Sequence, residues 1–133
     1  MKNVLVADAN VVIAALVAGV AGREARARLS DGPVLAPELL DVEVLSVLRR
    51  LVTTRELSRE RAAVAVTELA LLPIERYRHR TLLPMIWELR ENASAYDAAY
   101  VALARATDSV FLSADARLVQ AAGRWCSVEL FGH

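Results

Sequence analysis

Cysteine is almost absent from this chain: Cys126 is the only one in 133 residues. That excludes an internal disulfide and permits a reducing compartment. Lysine is just as scarce. Lys2 is the sole lysine among 16 basic side chains, and the rest are arginine. A mechanism that needs a lysine inside the domain is excluded, while planar forks for carboxylate or phosphate are plentiful. Net charge is missing too, since 16 basic and 16 acidic residues cancel. A nucleic-acid binder working through a long-range positive field is usually basic. A simple RNA-coating module is therefore disfavoured, and any contact with RNA must use a local patch or a bound cation. Aromatics supply 5% of the residues against 56% hydrophobic overall, which suits an aliphatic core and not a disordered segment. Long unbroken apolar runs are lacking as well. Val4 to Ala21 comes nearest, but Asp8 and Asn10 interrupt it, and a carboxylate in its middle is wrong for a signal peptide or membrane span. A cytoplasmic protein with no targeting segment and no membrane contact is expected.

There are no repeats, low-complexity tracts or Pro/Gly/Ser linkers, and the length suits one α/β domain over residues 1–133. Asn3 to Ala7 is a β-branched apolar run of the kind found in buried parallel strands. Ala9 to Ala18 reads as a helix, Gly19 and Gly22 as punctuation, and Arg23 to Ser30 as a second helix. Pro33 to Ala36 is a short strand, and Pro37 opens a helix running to about Thr53, where its ring is tolerated in the first turn. Ser58 is a good N-cap for Arg59 to Leu72. Ile74 to Tyr77 is a short strand, and Thr81 to Arg90 a helix with Pro84 in its first turn. Ser94 to Asp97 resembles a capping box with the shorter carboxylate in its last place, opening a helix to Ala106. Ser109 to Ser113 is a strand, Ala114 to Ala122 a helix and Ser127 to Phe131 a last strand. Strands alternating with helices imply a mostly parallel central sheet covered on both faces, a three-layer α/β/α architecture.

Four carboxylates stand out. Asp8 and Asp115 each follow a confidently read strand, and ligands of open parallel sheets sit beyond the carboxyl ends of strands. Each could equally be an N-cap. Asp97 shares a helix face with Tyr100, Val101 and Ala104, close to a helix N-terminus that favours an ionised carboxylate. Glu43 lies at the rim of an apolar helix face, in line with Ser46 and Arg50; alone it reads as a solvated edge. Two carboxylates about 5 Å apart repel by roughly 3 kcal/mol at an effective dielectric of about 20. Four together would cost much of a domain's stability of about 5–15 kcal/mol, so such a cluster persists only when protons or cations neutralise it. Oxygen ligands without nearby histidine or cysteine select Mg²⁺ or Mn²⁺ over Zn²⁺. His79 and His133 lie in polar or terminal contexts and read as surface residues. Arg50 and Arg117 are plausible phosphate partners, with surface salt bridging as the plainer alternative.

At these residues the chain resembles a PIN-domain nuclease, in particular the VapC toxin type of bacterial toxin–antitoxin modules. The matching pieces are Val4-Leu-Val-Ala-Asp8-Ala-Asn10, Pro37-Glu-Leu-Leu-Asp-Val-Glu43, Tyr96-Asp97-Ala-Ala-Tyr100-Val-Ala-Leu and Ser113-Ala-Asp115-Ala-Arg-Leu. Their order and spacing span essentially the whole chain. The resemblance implies a PIN fold, a Mg²⁺ or Mn²⁺ site, single-strand-directed endoribonuclease activity, a homodimer and inhibition by a VapB-like antitoxin. It also implies Asp8 and Asp97 as direct metal ligands, Glu43 as a ligand directly or through water, and Asp115 completing the site or holding the water. Such proteins often carry Ser or Thr where this chain has Asn10. Phosphatases of the haloacid-dehalogenase type and response-regulator receivers also begin with an Asp after the first strand. Both need a downstream lysine that does not exist here, and no phosphate-binding Gly-rich loop occurs. A non-catalytic PIN-like module acting through RNA or protein binding stays open.

Overall fold

Among the described residues, five short segments become strands, the three central ones apolar and the two edge ones mixed: β1 (Leu5–Ala7), β2 (Val34–Pro37), β3 (Ile74–Tyr77), β4 (Val110–Ser113) and β5 (Ser127–Leu130). The computed structural model describes residues 3–132, so Lys2 and His133 lie outside the described residues. All pairings between neighbouring strands are parallel, in the order β3-β2-β1-β4-β5. Within the described residues, seven α-helices connect and cover them: α1 (Ala9–Val17), α2 (Val20–Leu29), α3 (Leu39–Thr53), α4 (Arg59–Leu71), α5 (Leu83–Glu88), α6 (Ala95–Ala106) and α7 (Ala116–Ala122). The chain steps outward from β1 to β3 and then returns to β4 and β5. Right-handed crossovers therefore put α1 to α4 on one face and α5 to α7 on the other. The packing agrees, with α1 against α2, α3 and α4, and α6 laid across β1, β2 and β4. This is the expected three-layer α/β/α fold. Among the described residues, no helix is long and apolar enough to cross a membrane.

The central strands are buried on both faces, which is why they read as continuous apolar runs. Leu5, Val110 and Leu112 pack with Val11, Ala15 and Ala25 of α1 and α2. Val6 and Phe111 join Tyr100 and Val101 of α6 in a larger cluster. The Tyr100 and Phe111 rings lie 6.4 Å apart at 43°.

Several boundaries differ from the sequence reading. Helix α2 starts at Val20, so Gly22 is inside it and not punctuation. A Cβ there would meet the Ala14 carbonyl oxygen at 2.9 Å, so the glycine serves the close approach of α1 and α2. Pro37 ends β2 and does not open the helix, which begins at Leu39. Its missing N–H costs no bond at this point, because Glu38 N donates to Tyr77 O at 2.9 Å. The helix read from Thr81 is a 3₁₀ turn at Arg80–Leu82 followed by α5, with Pro84 in the first turn as expected.

Arginines do much of the stapling. Arg76 places its fork on Asp41 at 2.9 and 3.2 Å and donates to the carbonyls of Leu69, Leu72 and Ile74. Arg28 forks onto Glu129 at 2.7 Å. These side chains are committed to the fold, which leaves other arginines for a ligand.

Candidate active site

The strand order turns around between β1 and β4, the position where doubly wound sheets open a crevice at the carboxyl ends of their strands. Asp8 leaves β1 and Asp115 follows β4 at that point. Helices α3 and α6 bring Glu43 and Asp97 from the flanking layers.

Asp8 is 7% exposed. Its Oδ1 accepts from Ala9 N at 2.8 Å, and its Oδ2 accepts from Ser113 Oγ at 2.7 Å and Asn10 Nδ2 at 3.3 Å. Asn10 also donates to Ser113 Oγ at 3.2 Å and accepts from Ala114 N at 3.1 Å. Ser113 Oγ in turn accepts from Asp115 N at 3.0 Å. Asn10 and Ser113 thus tie the ends of β1 and β4 together around one carboxylate. This gives Asn10, the departure from the usual Ser or Thr, a defined structural task.

Tyr100 donates to Glu43 Oε1 at 2.6 Å, joining α6 to α3. Asp97 sits half-buried in the first turn of α6, where its backbone N donates to the N-cap Ser94 Oγ at 3.1 Å. Asp115 is exposed and caps α7, its Oδ1 accepting from Arg117 N at 3.0 Å and Leu118 N at 3.2 Å. Helix α7 accordingly starts at Ala116 and not at Ala114. Asp8 and Asp115 are therefore N-caps as well as crevice residues.

Burial pushes the Asp8 carboxyl up to about 6; Asp97 and Glu43 push the same way, against the Ser113 and Ala9 bonds. Glu43 is raised by burial and by Asp97, against the Tyr100 bond. Asp97 is raised by burial and by Asp115, against Ser94. Asp97 acts on both Asp8 and Glu43, and Asp115 acts on Asp97, which links the four in one electrostatic chain. None of them forms an ion pair with an arginine among the described residues. Nor do three or more described His, Cys, Asp or Glu side chains lie close enough to make a ready metal cage.

A groove of about 480 Å³ opens beside Glu43, lined by Asn10, Ile13, Ser46, Val47 and Arg50. Arg117 is exposed beside Asp115. His79, read as a surface residue, is half-buried, and its Nε2 accepts from Leu39 N at 3.2 Å at the start of α3.

Sequence reasoning named the four acids but assigned no role to Ser113 or Tyr100. Both carried a signal: Ser113 ends a buried strand two residues before Asp115, and Tyr100 lies one turn from Asp97 on the same face. Ser113→Ala should cost about 1–3 kcal/mol in urea unfolding, because it leaves a buried carboxylate oxygen and the Asp115 N–H short of partners. Tyr100→Phe keeps the ring in the core. It should change stability by only about 1 kcal/mol while releasing Glu43, and steady-state kinetics should show the larger loss.

The PIN domain family model matches residues 5–124. Ribonuclease VapC1 of Mycobacterium tuberculosis is 42% identical over 127 residues, covering 94% of this chain and 96% of the relative. Ribonuclease VapC9 of the same organism is 36% identical over 93% of this chain and 95% of its own length. Ribonuclease VapC12 is 30% identical over 95% and 98%. Fold, ordered acids and relatives converge: the chain belongs to the PIN-domain family, within its VapC branch.

Proposed function

We propose that this chain is a Mg²⁺- or Mn²⁺-dependent endoribonuclease that hydrolyses RNA phosphodiester bonds, the toxin of a pair completed by a VapB-like antitoxin. On this reading it acts as a single-domain cytoplasmic protein, in a homodimer. The observation that carries the proposal is a chain of mutually repelling carboxylates, without a cationic partner, at the sheet's switch point. The ribonuclease names of relatives matching almost the full length support the substrate class.

The donor set fits a hard cation: every candidate ligand is a carboxylate oxygen, and burial, with neighbouring acids adding to it, penalises their negative charge unless a cation neutralises it. Mg²⁺ usually takes one or two carboxylates and completes its shell with water and substrate phosphate, which suits a site without a three-residue cage. Asp8 and Asp97 would hold the ion, with Glu43 as a ligand directly or through water. When bound, the ion supplies a water of lowered pKa and steadies charge on the phosphoryl oxygen.

The chain's own residues do the rest. Ser113 and Asn10 fix the Asp8 oxygens, and Tyr100 fixes Glu43. Asp115 would hold the water at the crevice rim. Arg50, in the groove beside Glu43, and Arg117 are positioned to meet substrate phosphates, which a neutral protein attracts only locally.

The purified protein should cleave RNA with Mg²⁺ or Mn²⁺ and stop with EDTA. Sequencing of 5′ ends after induced expression should show discrete cuts that vanish in Asp97→Ala. Cleavage indifferent to EDTA would sink the metal mechanism, and absence of both cleavage and metal binding would favour a non-catalytic module. Co-expression with the neighbouring small reading frame should yield a stable complex and suppress toxicity. Failure there would remove the toxin assignment and leave the nuclease.

A further inference from the structure

A second groove, of about 400 Å³, lies where α5 approaches the start of α6, lined by Leu83, Ile86, Trp87, Arg90, Ala93, Ser94 and Ala95. That volume falls within the range of small-ligand sites. Its floor reaches Ser94, the residue that accepts from Asp97 N at 3.1 Å. The groove therefore adjoins the first turn of α6, which carries Asp97.

Trp87 is 67% exposed in a chain with only two tryptophans, and its neighbour Leu83 is 56% exposed. Tyr96, directly before Asp97, is 65% exposed. Leaving an indole in water forgoes the burial energy that large aromatics usually supply. Trp87 nonetheless has a cationic neighbour. The Arg90 guanidinium lies 4.7 Å from the ring centroid, and Arg90 Nη1 donates to the Trp87 carbonyl at 3.0 Å, which seats the guanidinium on the ring. An exposed aromatic face backed by a cation is an arrangement on which unpaired bases stack, with the guanidinium drawn to the phosphates alongside. A carboxylate crevice by itself repels RNA, so a neutral protein needs such a local grip beside it.

We propose that the Trp87–Arg90 platform stacks an unpaired base of single-stranded RNA next to the bond that is cut, making Trp87 a substrate-positioning residue. This rests on the nuclease reading. One groove is lined by Glu43 and Arg50 and the other reaches the Ser94 cap of the helix that carries Asp97, so on this reading a strand running past the acids meets arginine in one and the indole in the other.

The test uses a short oligoadenylate and an abasic oligonucleotide of equal length. In the Asp97→Asn background, oligoadenylate should quench tryptophan fluorescence and the abasic strand should not; the quench should disappear in Trp87→Phe, which keeps Trp125. Trp87→Ala should weaken oligoadenylate binding about tenfold, with Trp87→Phe retaining most of the affinity. In the metal-loaded, otherwise unsubstituted enzyme, Trp87→Ala should raise KM by a similar factor and leave kcat largely intact. Unchanged KM, affinity and quench in an enzyme that still cleaves would overturn the platform and leave the nuclease standing. A shift in oligomeric state by sedimentation, with RNA affinity unchanged, would assign the surface to a second copy and overturn it too. An unsubstituted protein that neither binds nor cleaves RNA would remove both readings together.

Discussion

Asp97→Asn is expected to lower RNA cleavage by about 10³-fold, the scale on which single electrostatic groups at a reacting centre act, and to raise the melting temperature of the metal-free protein. The two effects share one cause. Asp97 is the connecting link of the carboxylate chain: it feels Asp115 directly, and both Asp8 and Glu43 are raised in part by its charge. Neutralising it relieves repulsion on both sides. The cap of α6 survives, because Ser94 Oγ accepts from the Asp97 backbone N, which the substitution keeps. For a domain of this size each 1 kcal/mol relieved corresponds to about 4 °C. A side chain retained for stability alone would give the opposite sign, so the melting curve separates the roles without an activity assay. Added Mg²⁺ should stabilise the unsubstituted protein and leave Asp97→Asn almost unmoved. Equal stabilisation of both would remove Asp97 from the ligand set.

What could be read in advance follows the range of each interaction. The central strands were legible because burial on both faces leaves an unbroken apolar run. Ser58, Ser94 and Asp115 were legible as caps because a cap acts within three residues of itself. Asp8 posed a choice between cap and crevice residue that the fold does not force, since one oxygen takes the α1 N–H and the other faces Ser113. Pro37 misled because a helix start and a strand end tolerate proline equally well; the pairing with Tyr77 that decides between them is forty residues distant. Glu43 was the least legible of the acids. Its partner Tyr100 is 57 residues away on another helix, and no local pattern encodes a hydrogen bond between layers. Ser113 was hidden for the same reason, with its partner Asp8 105 residues distant. The acids themselves follow strand ends and helix faces, while the groups that orient them depend on tertiary packing.

Metal-free stability should fall as pH rises from about 4 to about 6, and Asp8→Asn should flatten most of that slope. The folded protein holds the Asp8 proton up to about 6, against an ordinary value of 3.8. Between those values the native state binds more protons than the unfolded chain, so stability declines with pH. Below the window both states are protonated and this group takes nothing away; above it the full cost remains. At 1.36 kcal/mol per unit that cost is about 3 kcal/mol by pH 7. Glu43 and Asp97 are raised as well and add slope of the same sign. Glu129, lowered by its bond to Arg28, contributes in the opposite sense, so the informative quantity is the difference between the unsubstituted protein and Asp8→Asn. Mg²⁺ should offset the trend. A cation binds the ionised carboxylate, so its stabilisation should grow through pH 6, reaching about 2.7 kcal/mol at a hundred times its Kd, and cleavage should switch on along the same limb. Urea unfolding from pH 4 to 8, with Mg²⁺ and with EDTA, measures all of this. If the stability of the unsubstituted protein relative to Asp8→Asn rises through pH 4–6 in EDTA, as for an acid paired with arginine, Asp8 is already compensated and the case for a cation at this crevice ends.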